Sequence, residues 1–162
     1  MTNFGGWSVE KECFDYIRSA LPDGSTLLEL GSGATTKVFT EFYTVHSIEH
    51  NIRFVDEYHS NYIYAPLVGN WYDVTTVRDR LPSKYDCILI DGPPGDLSNN
   101  RIGFYNNIEL FNTDVLLVFD DTNRKGEEEL FDKVLSKLGD REIIKFRTFS
   151  VILPKSNDDI TK

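Results

Sequence analysis

The sequence predicts an α/β domain: a doubly wound, mostly parallel seven-stranded sheet closed by a C-terminal antiparallel hairpin. Three observations carry this expectation. Short apolar runs alternate with segments of helical period. Glycines or prolines stop several of those runs abruptly. The last two runs, EIIKFRT and FSVILPK, follow each other with no room for a helical crossover, so they must pair as a hairpin.

The elements come in this order. Ser8 is placed to cap a helix over 9–20, where Val9, Cys13, Phe14, Ile17 and Leu21 share one face. LPDGS breaks it, and TLLEL at 26–30 is the first strand. ATTKVFTEFY reads as a helix, VHSIEH as the second strand, and NIRFVDEYHS as a further helix. YIYAPLV is the third strand, with Pro66 arguing against a fully paired central position. NWYDVTTVRDRLPSK reads as mixed and loop-like. YDCILID is the fourth strand, NRIGFYNNIELF a helix and DVLLVFD the fifth strand. KGEEELFDKVLSKLG is the clearest helix, with Leu130, Val134, Leu135 and Leu138 as its buried stripe and Gly139 at its end. Residues 1–155 are expected to form one domain and 156–162 a polar tail.

Composition narrows the function. Lys plus Arg total 17 against 26 Asp plus Glu, a net charge of −9. Such a surface repels phosphate backbones and anionic lipid, so neither nucleic acid nor a membrane is expected as a partner. No apolar stretch approaches the ~18 residues of a membrane span. The start MTNFGGWSVEKE has no basic region and no apolar core, so no signal peptide is expected. Cys13 and Cys87 lie far apart in the chain and read as buried thiols of a reduced, cytoplasmic protein.

Four stretches carry chemistry. In LLELGSGATT, Gly31, Ser32 and Gly33 make a turn between strand and helix, where backbone can approach a ligand and the helix offers free N–H groups. A tight turn without a ligand is the plain alternative. Glu49 ends the second strand about 20 residues on, where an acid accepts hydrogen bonds from ribose hydroxyls. In CILIDGPPGD, Asp91 ends the fourth strand and GPPG turns the chain out. In VLLVFDDTNR, Asp120 and Asp121 end the fifth strand; they could cap a helix, hold a metal or handle a proton. If those two strands are neighbours, three carboxylates converge, which is costly unless a proton or a cation is shared. His50 faces the same rim. Arg101 and Arg124 could bind an anionic acceptor such as a uronate or phosphate, or pair with the local acids. Trp71 and Tyr72 could cover an adenine or pack in the core. Trp7, beside Gly5 and Gly6, could form a lid.

Two cofactors suit the glycine turn and Glu49. Nicotinamide dinucleotides want a third glycine, where this chain has Thr36. The chain instead resembles the class I S-adenosylmethionine-dependent methyltransferases. ELGSG matches their acid-x-Gly-x-Gly motif, Glu49 their strand-end acid, and the final hairpin their fold, over residues 9–154. The resemblance implies a Rossmann-like methyltransferase fold. It places Glu29 and the Gly31–Gly33 turn beside the amino acid part of S-adenosyl-L-methionine, and Glu49 on the ribose. Amino-directed DNA methyltransferases carry Asp/Asn-Pro-Pro-aromatic after the fourth strand. Here Gly92 precedes Pro93 and Pro94, and Gly95 replaces the ring that would stack a flipped base.

Metal-dependent O-methyltransferases of the catechol type look similar in their acids. That resemblance makes Asp91, Asp120 and Asp121 ligands of Mg²⁺ or another divalent cation, which would lower the pKa of the acceptor hydroxyl. The catechol type has a lysine base three residues after the strand-four Asp; here that residue is Pro94. The base then falls to His50, an aspartate or a metal-bound water. IDGPPG, Arg101 and DDTNR are also similar to the small sugar-modifying branches, which implies O-methylation of a carbohydrate or other polar acceptor. A nicotinamide-dependent oxidoreductase and a non-catalytic binding module of the same fold are the alternatives.

Overall fold

The computed structural model describes residues 4, 5, 8–95 and 100–156. Trp7, Gly6 and residues 157–162 of the expected tail lie outside them. Strands β1 (Thr26–Leu30), β2 (Thr44–Glu49), β3 (Asn61–Tyr64), β6 (Cys87–Ile90), β7 (Leu116–Asp120), β8 (Ile143–Lys145) and β9 (Phe149–Ile152) form one sheet in the order β3-β2-β1-β6-β7-β9-β8. All run parallel except β9, which is antiparallel to both β7 and β8. The expected hairpin therefore closes the sheet. A separate two-stranded ribbon pairs β4 (Leu67–Val68) with β5 (Trp71–Tyr72).

The apolar runs are continuous because the central strands are covered on both faces. Leu28, Leu30, Ile88, Ile90, Leu117 and Phe119 enter one core, under helices α3 (Val74–Arg80), α4 (Gly103–Asn106) and α5 (Lys125–Leu138). Leu27, Cys87, Leu89, Leu116 and Val118 alternate into the other, under α1 (Lys11–Ala20) and α2 (Ala34–Phe39). Cys13 and Cys87 are buried free thiols in this second core.

Several elements differ from expectation. α1 starts after Glu10 rather than on Ser8, whose N–H bonds Gly5 O at 3.2 Å. α2 stops at Phe39, four residues short of the expected end. Residues 51–60 form turns instead of a helix: Ile52 and Phe54 are exposed, so no apolar stripe finds a partner, and Asp56 sits at φ 63°. The third strand breaks before Pro66, and Gly69 at φ 65° turns the chain into the β4–β5 ribbon. The stretch expected to be loop-like over 70–84 contains α3, capped by Asp73, which accepts from Thr76 N at 3.3 Å and Thr76 Oγ1 at 2.6 Å. The helix expected over 100–111 is split into short turns around α4. There Gly103 packs against Trp71 so closely that a Cβ would lie 2.1 Å from the indole.

Candidate active site

Strand order in the sheet reverses between β1 and β6, the point at which open α/β sheets bind ligands beyond their carboxyl ends. The floor of this crevice is a backbone contact. Gly31, at φ 88°, lies so near β6 that a Cβ would meet Gly92 Cα at 3.2 Å and Asp91 O at 3.3 Å. A Cβ on Gly92 would meet Tyr72 OH at 2.4 Å, Leu30 O at 2.8 Å and Gly31 Cα at 2.9 Å. Glycine is required at both positions for this reason, and the sequence revealed only the first.

Glu49 is buried at the end of β2. Its Oε2 accepts from Ser32 N at 3.1 Å and Ser32 Oγ at 3.0 Å, and its Oε1 from Asn51 N at 2.8 Å. The strand-end acid thus clasps the glycine turn. Gly33 N donates to Thr36 Oγ1 at 3.0 Å, so the N–H groups of Ser32 and Gly33 in the turn before α2 are both engaged. His50 Nδ1 lies 3.1 Å from Glu49 Oε1 without hydrogen-bonding geometry. The Tyr72 hydroxyl is also buried and without a hydrogen-bond partner. Orphaned buried polar atoms are rare, and two at one crevice fit a polar ligand.

Glu29 lies on β1, two residues before the turn. It is fully buried and accepts from Thr36 Oγ1 and Ser47 Oγ, each at 2.6 Å. Burial pushes its carboxyl from 4.5 up to about 7, against the lowering effect of the two hydroxyls. A raised carboxyl stabilises the fold while protonated, and that stability is lost as pH climbs through the folded value. The size is about 3 kcal/mol between roughly pH 4.5 and 7. Melting temperature should therefore fall across this window, and Glu29→Gln, which needs no proton, should flatten part of the slope. An unchanged slope in that variant, followed by calorimetry, would show that Glu29 is ionised in the fold.

The three aspartates do converge. Register sets Ile90 beside Phe119, so Asp91 and Asp120 follow on neighbouring strands. One carboxylate oxygen from each of Asp91, Asp120 and Asp121 lies within 4.8 Å of the others. Asp91 and Asp120 stand at neighbouring strand ends, each in the field of the other acids. Burial first, then the neighbouring charge, raises both; Asp120 reaches about 6. Asp121 holds the left-handed φ of 60°, a strained conformation of the kind that clusters at functional sites.

Arg101, which from the sequence could bind an acceptor or pair with the local acids, is buried inside this cluster. Its Nη1 lies 3.0 Å from Asp121 Oδ2 and its Nη2 3.5 Å from Asp91 Oδ1. Its Nε donates to Pro93 O at 3.1 Å, and Nη1 also reaches Asp120 O at 3.4 Å. Arg124 pairs with the same Asp121 oxygen at 3.1 Å but is half exposed. A divalent ion among these carboxylates would share the site with the Arg101 guanidinium, a like charge. The carbonyl contacts keep the guanidinium from retreating. The three carboxylates that could hold a metal ion are thus already paired with a buried cation.

Trp71 and Tyr72 part company. Trp71 is a core residue, edge-on to Phe111 at 6.2 Å, and it walls a cavity of about 330 Å³ with Asn70, Asp73, Ile102 and Asn106. Tyr72 directs its hydroxyl at the crevice floor. The sequence did not mark Asn51 or Ser47 for the site; it showed Thr36 only in place of a third glycine, and Gly92 only as part of the turn after the fourth strand.

Solved structures share this architecture. The MycE methyltransferase from the mycinamycin biosynthetic pathway, in complex with Mg and SAH, superposes with a TM-score of 0.62 at 14% identity, covering 96% of this chain and 52% of that one. The chain thus spans about half the length of MycE. The precorrin-8w decarboxylase of Methanobacterium thermoautotrophicum matches with a TM-score of 0.59 at 12% identity, over 96% of both chains. A methyltransferase-like protein from Silicibacter pomeroyi matches at 0.55 with 18% identity, covering 92% of this chain and 89% of that one. No protein-family model matches the sequence, and no curated protein matches it. The chain has the Rossmann-like fold of the class I methyltransferases. Among the described residues no helix is long and apolar enough to cross a membrane.

Proposed function

We propose that the protein is an S-adenosylmethionine-dependent methyltransferase that methylates a hydroxyl of a carbohydrate or similarly polar acceptor. One observation carries the reading. At the switch point, a glycine-on-glycine floor is flanked by a buried carboxylate on β2 and a carboxylate cluster on β6 and β7, with orphaned polar atoms between. The residues present fit the cofactor: Glu49 offers acceptor oxygens to a ribose diol, the carboxylate cluster as a whole negative charge to a cationic ligand, and Tyr72 OH and His50 Nδ1 unmet hydrogen-bonding capacity. When bound, S-adenosylmethionine supplies an electrophilic methyl group on a sulfonium.

The chain's own residues do the rest. A hydroxyl must lose its proton as it attacks, and a base works best with a pKa near the operating pH. Asp120, raised to about 6 and facing Asp91, suits that role. Arg101 and Asp121 hold the pair in place, so the acceptor oxygen meets a fixed carboxylate; such positioning supplies much of the rate. A neutral amine needs no base of this kind, which favours oxygen acceptors. The exposed face of Arg124 is available to an anionic group on the acceptor.

The test is methyl transfer from labelled S-adenosylmethionine to a panel of neutral sugars, uronates and phosphorylated sugars, read by mass spectrometry. Product methylated on oxygen, with the rate lost in Asp120→Asn, is expected. A new methyl on nitrogen or carbon would contradict the acceptor class.

A further inference from the structure

We propose that Arg101 takes the place of a metal ion in the Asp91–Asp120–Asp121 cluster, so that this crevice works without a divalent cation. The cation the three carboxylates need is already built in. Arg101 is 4% exposed, and its guanidinium bridges Asp91 on one strand end to Asp121 on the next. It is held there by main chain: Pro93 O takes its Nε and Asp120 O its Nη1. A side chain recruited by loose surface attraction would not be anchored on both loops. Asp121 contributes its backbone as well, since the left-handed φ of 60° accompanies an oxygen, Oδ2, shared by Arg101 and Arg124. Arg101 and Arg124 together set two guanidinium charges against the three carboxylates, so charge that a metal would neutralise is already met by side chains. The catalytic consequence rests on the methyltransferase reading; the exclusion of metal does not. Arg101 is thus a positioning residue that acts through the aspartates.

The experiment is a Mn²⁺ titration of the full chain, followed by the free-ion electron paramagnetic resonance signal, which needs neither cofactor nor acceptor. The wild type should leave the signal undiminished. Arg101→Met, which keeps the apolar stem and removes the charge, should gain a site at least tenfold tighter than any in the wild type. Uptake of one Mn²⁺ by the wild type, lost in Asp120→Asn, would overturn the proposal, as would a folded Arg101→Met that gains no site. Should Arg101→Met fail to fold, the wild type and Asp120→Asn titrations still decide. Failure to bind S-adenosylhomocysteine would remove the methyltransferase reading and leave these outcomes untouched.

Discussion

Glu49→Gln is expected to weaken S-adenosylhomocysteine binding about 30- to 150-fold, the equivalent of 2–3 kcal/mol for a hydrogen-bonded charge. The substitution is nearly isosteric, so the loss reflects chemistry. One carboxylate oxygen becomes an amide that can only donate. It then faces either Asn51 N or the Ser32 N–H and hydroxyl, groups that Glu49 now satisfies as an acceptor. The variant therefore loses a ribose acceptor and loosens the glycine turn together. A stability cost of about 1–3 kcal/mol should accompany it, measurable by urea denaturation. Unchanged affinity in the folded variant would reduce Glu49 to a clasp for the turn.

Gly92→Ala should cost about 3 kcal/mol of stability and abolish ligand binding, because overpacking here strikes main chain. The added methyl meets Tyr72 OH at 2.4 Å, and that contact could be relieved by side-chain movement. It also meets Leu30 O at 2.8 Å and Gly31 Cα at 2.9 Å, and these are backbone atoms of β1 and the turn after it. Adding Tyr72→Phe should recover only a small part of the loss. Full recovery in the double variant, by denaturation midpoint, would show that the close approach of β1 and β6 is not constrained.

Much of this crevice was legible because parallel strands buried on both faces write continuous apolar runs, and the residues at the carboxyl end of each run form the site. TLLEL ends in the glycine turn, CILI in Asp91 and LLVFD in Asp120. Convergence of the aspartates came from strand adjacency alone. The hidden part depends on side chains meeting across the fold. Asp73 and Thr76 cap α3 in the usual way, but the β-branched run Val74–Thr75–Thr76–Val77 disguised the helix. Residues 51–60 turn instead of coiling, and Ile52 and Phe54 are left exposed there. Pairing of Arg101 with the local acids was open from the sequence, but its burial was not; the carbonyls of Pro93 and Asp120 and the carboxylates of Asp91 and Asp121 hold it inside the cluster. Thr36 in the sequence argues only against a nicotinamide cofactor, yet its hydroxyl joins Gly33 N to the carboxylate of Glu29.

The central claim is that the crevice between β1 and β6 binds S-adenosylmethionine, and isothermal titration calorimetry of the wild-type chain tests it most directly. S-adenosylhomocysteine should bind at a ratio of about one per chain, with nicotinamide dinucleotides giving no heat and Glu49→Gln losing the signal. Saturable binding of a nicotinamide dinucleotide, or no binding of S-adenosylhomocysteine by the folded protein, would contradict it.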